Sequence, residues 1–279
     1  MPVLFHRVAA VVVGTGGGRA LRIDALDFSF TVVKNLRREP NTCSVEIYNL
    51  SDTSRLSIEG ASGQQLRLEA GYANDSWAIF EGEVRRAWTE YEGAVDRKTT
   101  IEGGDGERAF RVARVNRSFG EGTSLRSVIA EVATSMGLGV GNLEAETQGR
   151  GFEGLGSTYA EGCVVSGSGR ESLSGLCRSI GLEWSVQDGN LQLLPFREAV
   201  RHTAVLLTPD TGLIGSPSID SEGVMHAKAL IIPGIFPGRK IDVRSRYATG
   251  VFRAAKTTFT GSTSGPDWYV DIEGRVING

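Results

Sequence analysis

Three histidines, His6, His202 and His226, are the first place to look for chemistry. A zinc protease needs two of them one helical turn apart with a glutamate between, and each of the three stands alone. A serine-hydrolase elbow needs Gly-x-Ser-x-Gly; Gly60-Ala61-Ser62-Gly63-Gln64 lacks the last glycine. The run Gly14-Thr15-Gly16-Gly17-Gly18 follows an apolar strand, as a dinucleotide loop would. Its third required glycine falls at Arg19, and Leu21-Arg22-Ile23-Asp24 alternates like a strand where a helix would have to hold the pyrophosphate. No Gly-Lys-Ser or Gly-Lys-Thr exists for a phosphate loop. Glycosidases ask for two carboxylates at a set separation, and 33 acidic residues leave that reading open without singling out a pair. Cys43, Cys163 and Cys177 form no C-x-x-C and indicate neither a zinc site nor a disulfide framework. No catalytic, cofactor-binding or metal-ligating residue is therefore assigned, and no cofactor is expected.

Composition narrows the class. A formal charge of -3 gives no electrostatic case for wrapping nucleic acid, which needs clustered cations to displace counterions. The basic clusters Arg37-Arg38, Arg85-Arg86 and Arg239 to Arg246 read as solvated strand ends or loops, with a docking surface as the lesser alternative. The apolar run Val8 to Val13 is too short for a secretory core and reads as a strand. Thirty-seven glycines against 8 prolines suggest many tight turns and bulges between short strands.

The elements follow from period. Phe28, Phe30 and Val32, then Cys43, Val45 and Ile47, alternate with more polar residues, the mark of two half-buried strands. Lys34 to Asn41, with Pro40, is expected to be an exposed loop between them. Before this hairpin lies a strand pair, Leu4 to Val13 and Ala20 to Ile23. After it come one helical turn from Ser51 and strands at Gln65 to Tyr72, Trp77 to Val84, Ala87 to Tyr91 and Lys98 to Glu102, which point to a small barrel or sandwich.

The grammar changes at Gly103-Gly104-Asp105-Gly106. Thr123-Ser124 caps a helix whose Leu125, Val128, Ile129, Val132, Ala133 and Met136 fall on one face, ended by Gly137. A second helix is expected from Arg170 to Ile180 with Leu173, Leu176, Cys177 and Ile180 on one face and Gly181 as stop. A hairpin follows around Asp188-Gly189-Asn190, and Glu146 to Gly169 reads as a long surface loop. From Thr203 strands return at Ala204 to Leu207, Val224 to Ile232, Lys240 to Arg246, Val251 to Thr260 and Trp268 to Val276. Trp77, Trp88, Tyr91, Trp184, Trp268 and Tyr269 could stack on sugars, but they alternate with polar residues inside strands and are read as core.

Certain stretches also carry a resemblance. Phe30-Thr31-Val32-Val33-Lys34, Glu39-Pro40-Asn41, Val45-Glu46-Ile47-Tyr48-Asn49-Leu50-Ser51, Leu66-Arg67-Leu68-Glu69-Ala70-Gly71-Tyr72 and Ile79-Phe80-Glu81-Gly82 together resemble the baseplate hub proteins of contractile-tailed bacteriophages and the related late-control D family. The resemblance covers roughly the first third of the chain and brings no catalytic motif. It implies a mainly β chain with two small tail-tube-like β-barrel domains, residues 1–104 and 201–279, around a central α/β domain, 105–200, with two amphipathic helices. It implies a homotrimer that adapts a hexameric tail tube to a trimeric spike, with tube, tube-initiator and other baseplate proteins as partners and DNA only in transit through a channel. No membrane span is expected; the place would be the virion tail, assembled in the host bacterial cytoplasm. Two alternatives remain, a glycan-acting tail enzyme and a carbohydrate-binding β module.

Overall fold

A computed structural model describes residues 6–16, 18–73, 75–92, 96–143, 151–246 and 248–277. The start of the first expected strand, Leu4, and the opening of the expected 146–169 loop lie outside them. By contact density the chain forms two compact units, one of residues 1–35, 41–105 and 203–276, the other of 36–40, 106–202 and 277–279.

The first unit is built on one sheet. In chain order its elements are β1 (Arg7–Gly16), β2 (Arg19–Ile23), β3 (Phe28–Asn35), β4 (Asn41–Tyr48), α1 (Asp52–Glu59), β5 (Gln65–Tyr72), β6 (Asp75–Glu92) and β7 (Asp96–Asp105). After the second unit come β12 (Val205–Leu207), β13 (Leu213–Ile219), β14 (Val224–Leu230), β15 (Lys240–Arg244), β16 (Thr249–Ser262) and β17 (Trp268–Val276). Alternation places Phe28, Phe30, Val32, Cys43, Val45 and Ile47 inside, as their period requires. Ser51 caps α1 by accepting from the Ser54 amide, and the helix runs two turns rather than the expected one. Trp77 to Tyr91 belongs to one strand, not two, because the expected break at Arg85 is a β-bulge between Val84 and Arg86. The ends of the β3–β4 loop are not exposed as expected. Lys34, Asn35 and Asn41 are buried, and Asn41 donates to Asp105 Oδ2 at 3.1 Å while accepting from the Asn35 amide.

Mainly β is right, but the pairings draw no barrel among the described residues. They give an open sheet in the order β13-β14-β17-β16-β3-β4-β7-β6-β5-β1-β2, with β15 and then β12 branching from β16. The junction between its halves is β16 on β3, from Lys256↔Asn35 to Ser262↔Ser29. There the Phe30 ring covers Gly261, where an added Cβ would lie 2.3 Å from the ring tip. One apolar cluster holds residues of both halves, among them Val45, Ile101, Ile241 and Trp268.

The halves repeat a strand order. Reading β3-β4-β7-β6-β5-β1 against β13-β14-β17-β16-β15-β12 gives the same sequence of neighbours, although β12 runs parallel to β15 where β1 runs antiparallel to β5. The match extends to single residues. The β6–β7 hairpin has its bulge between Val84 and Arg86, and the β16–β17 hairpin has its own between Ala254 and Lys256. In each, the cation after the bulge meets a glutamate on the partner strand at 2.8 Å, Arg86 with Glu102 and Lys256 with Glu273. Those glutamates sit in the recurring tripeptide Ile101-Glu102-Gly103 and Ile272-Glu273-Gly274.

The second unit contains α2 (Glu107–Arg111), β8 (Arg114–Phe119), α3 (Leu125–Ser135), β9 (Cys163–Ser168), α4 (Gly169–Ser179), β10 (Leu182–Gln187) and β11 (Asn190–Pro195). Ser124 caps α3 through the Ser127 amide, and the expected face from Leu125 to Met136 is buried. In the β10–β11 turn Asp188 and Gly189 have φ of 53° and 76°, the left-handed pair that a tight hairpin demands. The described part of the expected surface loop is instead structured. Cys163–Ser168 pairs antiparallel with β8, and Phe152 and Leu155 are buried.

Candidate functional site

The residues that could have done chemistry are dispersed into structural roles. Ser62 Oγ donates to the Arg85 carbonyl at 3.3 Å, part of a turn and not of a nucleophile–base pair. His226 meets Asp220 at 3.1 Å, and Asp220 also accepts from the Glu222 and Val224 amides, which fixes the β13–β14 turn. Those contacts, the Val224 amide first, hold the Asp220 carboxyl below its ordinary range. The glycine run near residue 14 leads into the strand β2 and so offers no helix terminus for a pyrophosphate. Cys43 and Cys177 are buried, with desolvation pushing the Cys177 thiol up to about 12. Among the described residues no group of three His, Cys, Asp or Glu could hold a metal ion.

Several of the sheet's acidic residues are held in ion pairs, within a strand or across strands. Glu69 meets Arg22 at 3.1 Å and Arg67 at 3.0 Å, and Arg67 reaches on to Glu81 at 3.2 Å. Lys98 meets Glu46 at 3.5 Å, and Lys228 meets Asp271 at 3.6 Å. The Arg86 guanidinium, which grips Glu102 with two nitrogens, holds that carboxyl below its usual range. A general acid at neutral pH needs the opposite shift. The expected core role of the aromatics holds for Trp184 and Trp268, which are buried. Trp77, Trp88 and Tyr269 are only part-buried, and Tyr91 is 76% exposed.

One cleft of about 370 Å³ lies on the sheet unit, lined by Arg7, Arg22, Asp24, Glu69, Ser76 and Thr263 among others. Arg7 stacks over Trp268 at 5.6 Å and donates to the Gly265 carbonyl at 3.1 Å, while Arg22 pairs with both Asp24 and Glu69. Its two carboxylates are thus paired with Arg22, and Arg7 is held by a ring and a backbone carbonyl.

Two backbone edges stand out instead. Past the bulge, Arg86–Glu92 is laddered to β7 on one side, and among the described residues no strand lies on its other side. The terminal strand β13 pairs with β14 alone. Sequence reading missed both edges, since an edge is defined by a missing neighbour. The recurring Ile-Glu-Gly was the one local trace of the repeat that gives them meaning.

No protein-family model matches the chain, and no curated protein matches it in sequence. Solved structures do match in fold. The tail protein of Neisseria meningitidis MC58 aligns over 97% of this chain and 96% of its own, with a TM-score of 0.64 at 11% identity. The 43 kDa tail protein of prophage MuSo2 from Shewanella oneidensis aligns over 97% and 98%, with a TM-score of 0.65 at 11% identity. The E. coli c3393 protein, a type VI secretion component described as similar to the T4 bacteriophage tail proteins gp27 and gp5, aligns over 90% and 74%, with a TM-score of 0.57 at 8% identity. The fold is therefore one shared with phage tail proteins and with a tail-like secretion component. No helix among the described residues is long and apolar enough to cross a membrane.

Proposed function

We propose that this chain is a structural component of a phage-type tail, the hub of its baseplate, with no catalytic role. The observation that carries the reading is the repeated strand order within one chain. Three copies of a chain with two equivalent sheet modules present six modules to a sixfold tube, while the assembly keeps the true threefold axis that a trimeric spike needs. The two modules take the place of the tube-like barrels expected from sequence. The tail-protein fold and the pairing of sheet carboxylates with cations support the same reading. The partners are then a spike, tube or tube-initiator proteins and other baseplate proteins, with DNA passing through the ring. The mild net negative charge suits a passage that must not retain DNA.

The test is the mass in solution, alone and after co-expression with the neighbouring tail genes. A trimer of the 29.9 kDa chain, about 90 kDa, or a monomer that becomes trimeric with a spike partner, is the expected result. A chain that stays monomeric and recruits no tail partner would sink the hub reading.

A further inference from the structure

Strands β13, β14, β17 and β16 have antiparallel counterparts in β3, β4, β7 and β6, and the in-chain junction uses one surface from each half. Its donor edge is the stretch of β16 after the bulge, Lys256–Ser262, and its acceptor edge is β3. The counterpart of that donor edge is Arg86–Glu92 of β6, which lies open. The counterpart of the acceptor is β13, which lies open as well. The chain therefore carries one mated junction and the two unmated faces of a second.

We propose that copies of this chain join head to tail by pairing the β6 edge of one copy, at Thr89–Glu90, antiparallel to the Ser218–Ile219 end of β13 of the next, in the place that the β16–β3 junction holds within the chain. The contact is heterologous, so it propagates from copy to copy, and the threefold hub reading closes it into a ring. Counting from the bulges aligns Arg86 with Lys256 and hence Glu90 with Thr260. Pairing through β4 and β7, and through β14 and β17, aligns Thr31 with Ser218, since Thr31 faces Ser44 opposite Glu102 and Ser218 faces His226 opposite Glu273. Thr260 faces Thr31 within the chain, so Glu90 faces Ser218 of the neighbouring copy.

The side chains fit that register. In the resolved junction a large ring, Phe30, lies over a glycine, Gly261. At the proposed one the ring would come from the β6 edge. Tyr91, the counterpart of Gly261, is 76% exposed, and the register sets it opposite Pro217, within the irregular stretch of β13 between Ile214 and Ser218. Pro217 has no amide to donate, which confines the ladder to the end of β13 beginning at Ser218. Ile219, next in that end, is 51% exposed.

The number three for the ring rests on the hub reading above; the edge pairing does not. The test places cysteines at Glu90 and Ser218 in a Cys163→Ser background, both sites being exposed. A second pair, Thr89→Cys with Ile219→Cys, tests the next rung of the same register. Thr31→Cys with Thr260→Cys, partners in the resolved junction, is the control and should close within one chain. Under copper–phenanthroline oxidation, the expected result is a ladder of covalent oligomers forming about tenfold faster than from either single-cysteine variant, as docking raises the effective concentration. A ladder that ends at three supports both readings. One that ends at another number keeps the edge pairing and removes the hub trimer. A trimer by light scattering in which both pairs stay reduced while the control closes overturns the edge pairing and leaves the hub. A chain that remains monomeric and reduced at every concentration overturns the edge pairing too.

Discussion

The two halves of the sheet differ most where one feature is used and its counterpart is not. Trp268 of β17 stands opposite Gly261 at the junction, buried against Phe30 at 5.7 Å and Tyr72 at 6.5 Å. Its counterpart in β7, opposite Tyr91, is Arg97, a part-exposed cation that bonds to Asp52 at the start of α1. The same backbone position is a core anchor in one half and a surface residue in the other. The lesson is that the hairpin and its bulge are the shared frame, and side chains at its tip record whether that edge already has a partner within the chain.

That contrast predicts the largest effect. Trp268→Ala should cost about 3–5 kcal/mol, the range for emptying a large aromatic site in a core, whereas Arg97→Ala should cost no more than about 1 kcal/mol, as exposed ion pairs do. Urea denaturation of both variants measures the difference. Equal losses would break the comparison, because they would mean that the tip of β6–β7 already bears a core load in the isolated chain.

How far this was readable in sequence depends on whether the cause is local. Helix α3 was legible because its cap, its apolar spacing and its terminating Gly137 lie within a few turns of chain. So was the β3–β4 hairpin, whose alternation survives intact in the burial of Phe30, Val32, Val45 and Ile47. Strands β8 and β9 were not. They pair mainly with each other, so only Val115 and Val165 of the two are buried, and little alternation is left to read. A bulge hid the unity of β6, since one extra residue inverts the apparent period at Arg85. The β16–β3 junction joins residues more than two hundred positions apart, and no window along the chain could contain it. The candidate assembly edges inherit that difficulty.

The recurring glycines offer a sharper test of the shared frame. A Cβ on Gly103 would lie 2.4 Å from Leu66 Cδ2 and 3.2 Å from the Phe80 ring. On Gly274 it would lie 2.7 Å from Met225 Cε and 3.0 Å from Phe252 Cβ. Both positions need glycine for the same reason, the close approach of core side chains to the strand after the bulge. Gly103→Ala should cost about 1–3 kcal/mol through overpacking. Gly274→Ala should cost less, since the unbranched methionine yields more readily than leucine. Thermal melts of the two variants rank them. A neutral Gly103→Ala would show that the core around it is loose and that the tripeptide recurs without a packing cause.

The smallest effect concerns the ion pair beside each bulge. Double-mutant cycles on Arg86 with Glu102 and on Lys256 with Glu273 should each return only a small coupling, because all four side chains are partly exposed and water screens them. Geometry orders the two cycles. Arg86 holds both carboxylate oxygens and also lies over the Trp88 ring at 4.6 Å, whereas Lys256 offers a single point charge. The first cycle should therefore give the larger coupling. Its pH dependence has a definite sign. The Arg86 hydrogen bond lowers the Glu102 pKa in the folded chain, so the coupling is complete above the ordinary glutamate value of about 4.3 and is lost as pH falls through the lower, folded value. Repeating the cycle down to strong acid checks this. A coupling that grew as pH fell would mean that the folded state prefers the protonated carboxyl, and the glutamate beside the bulge would then have to be read as a hydrogen-bond donor and not as the counter-ion of Arg86.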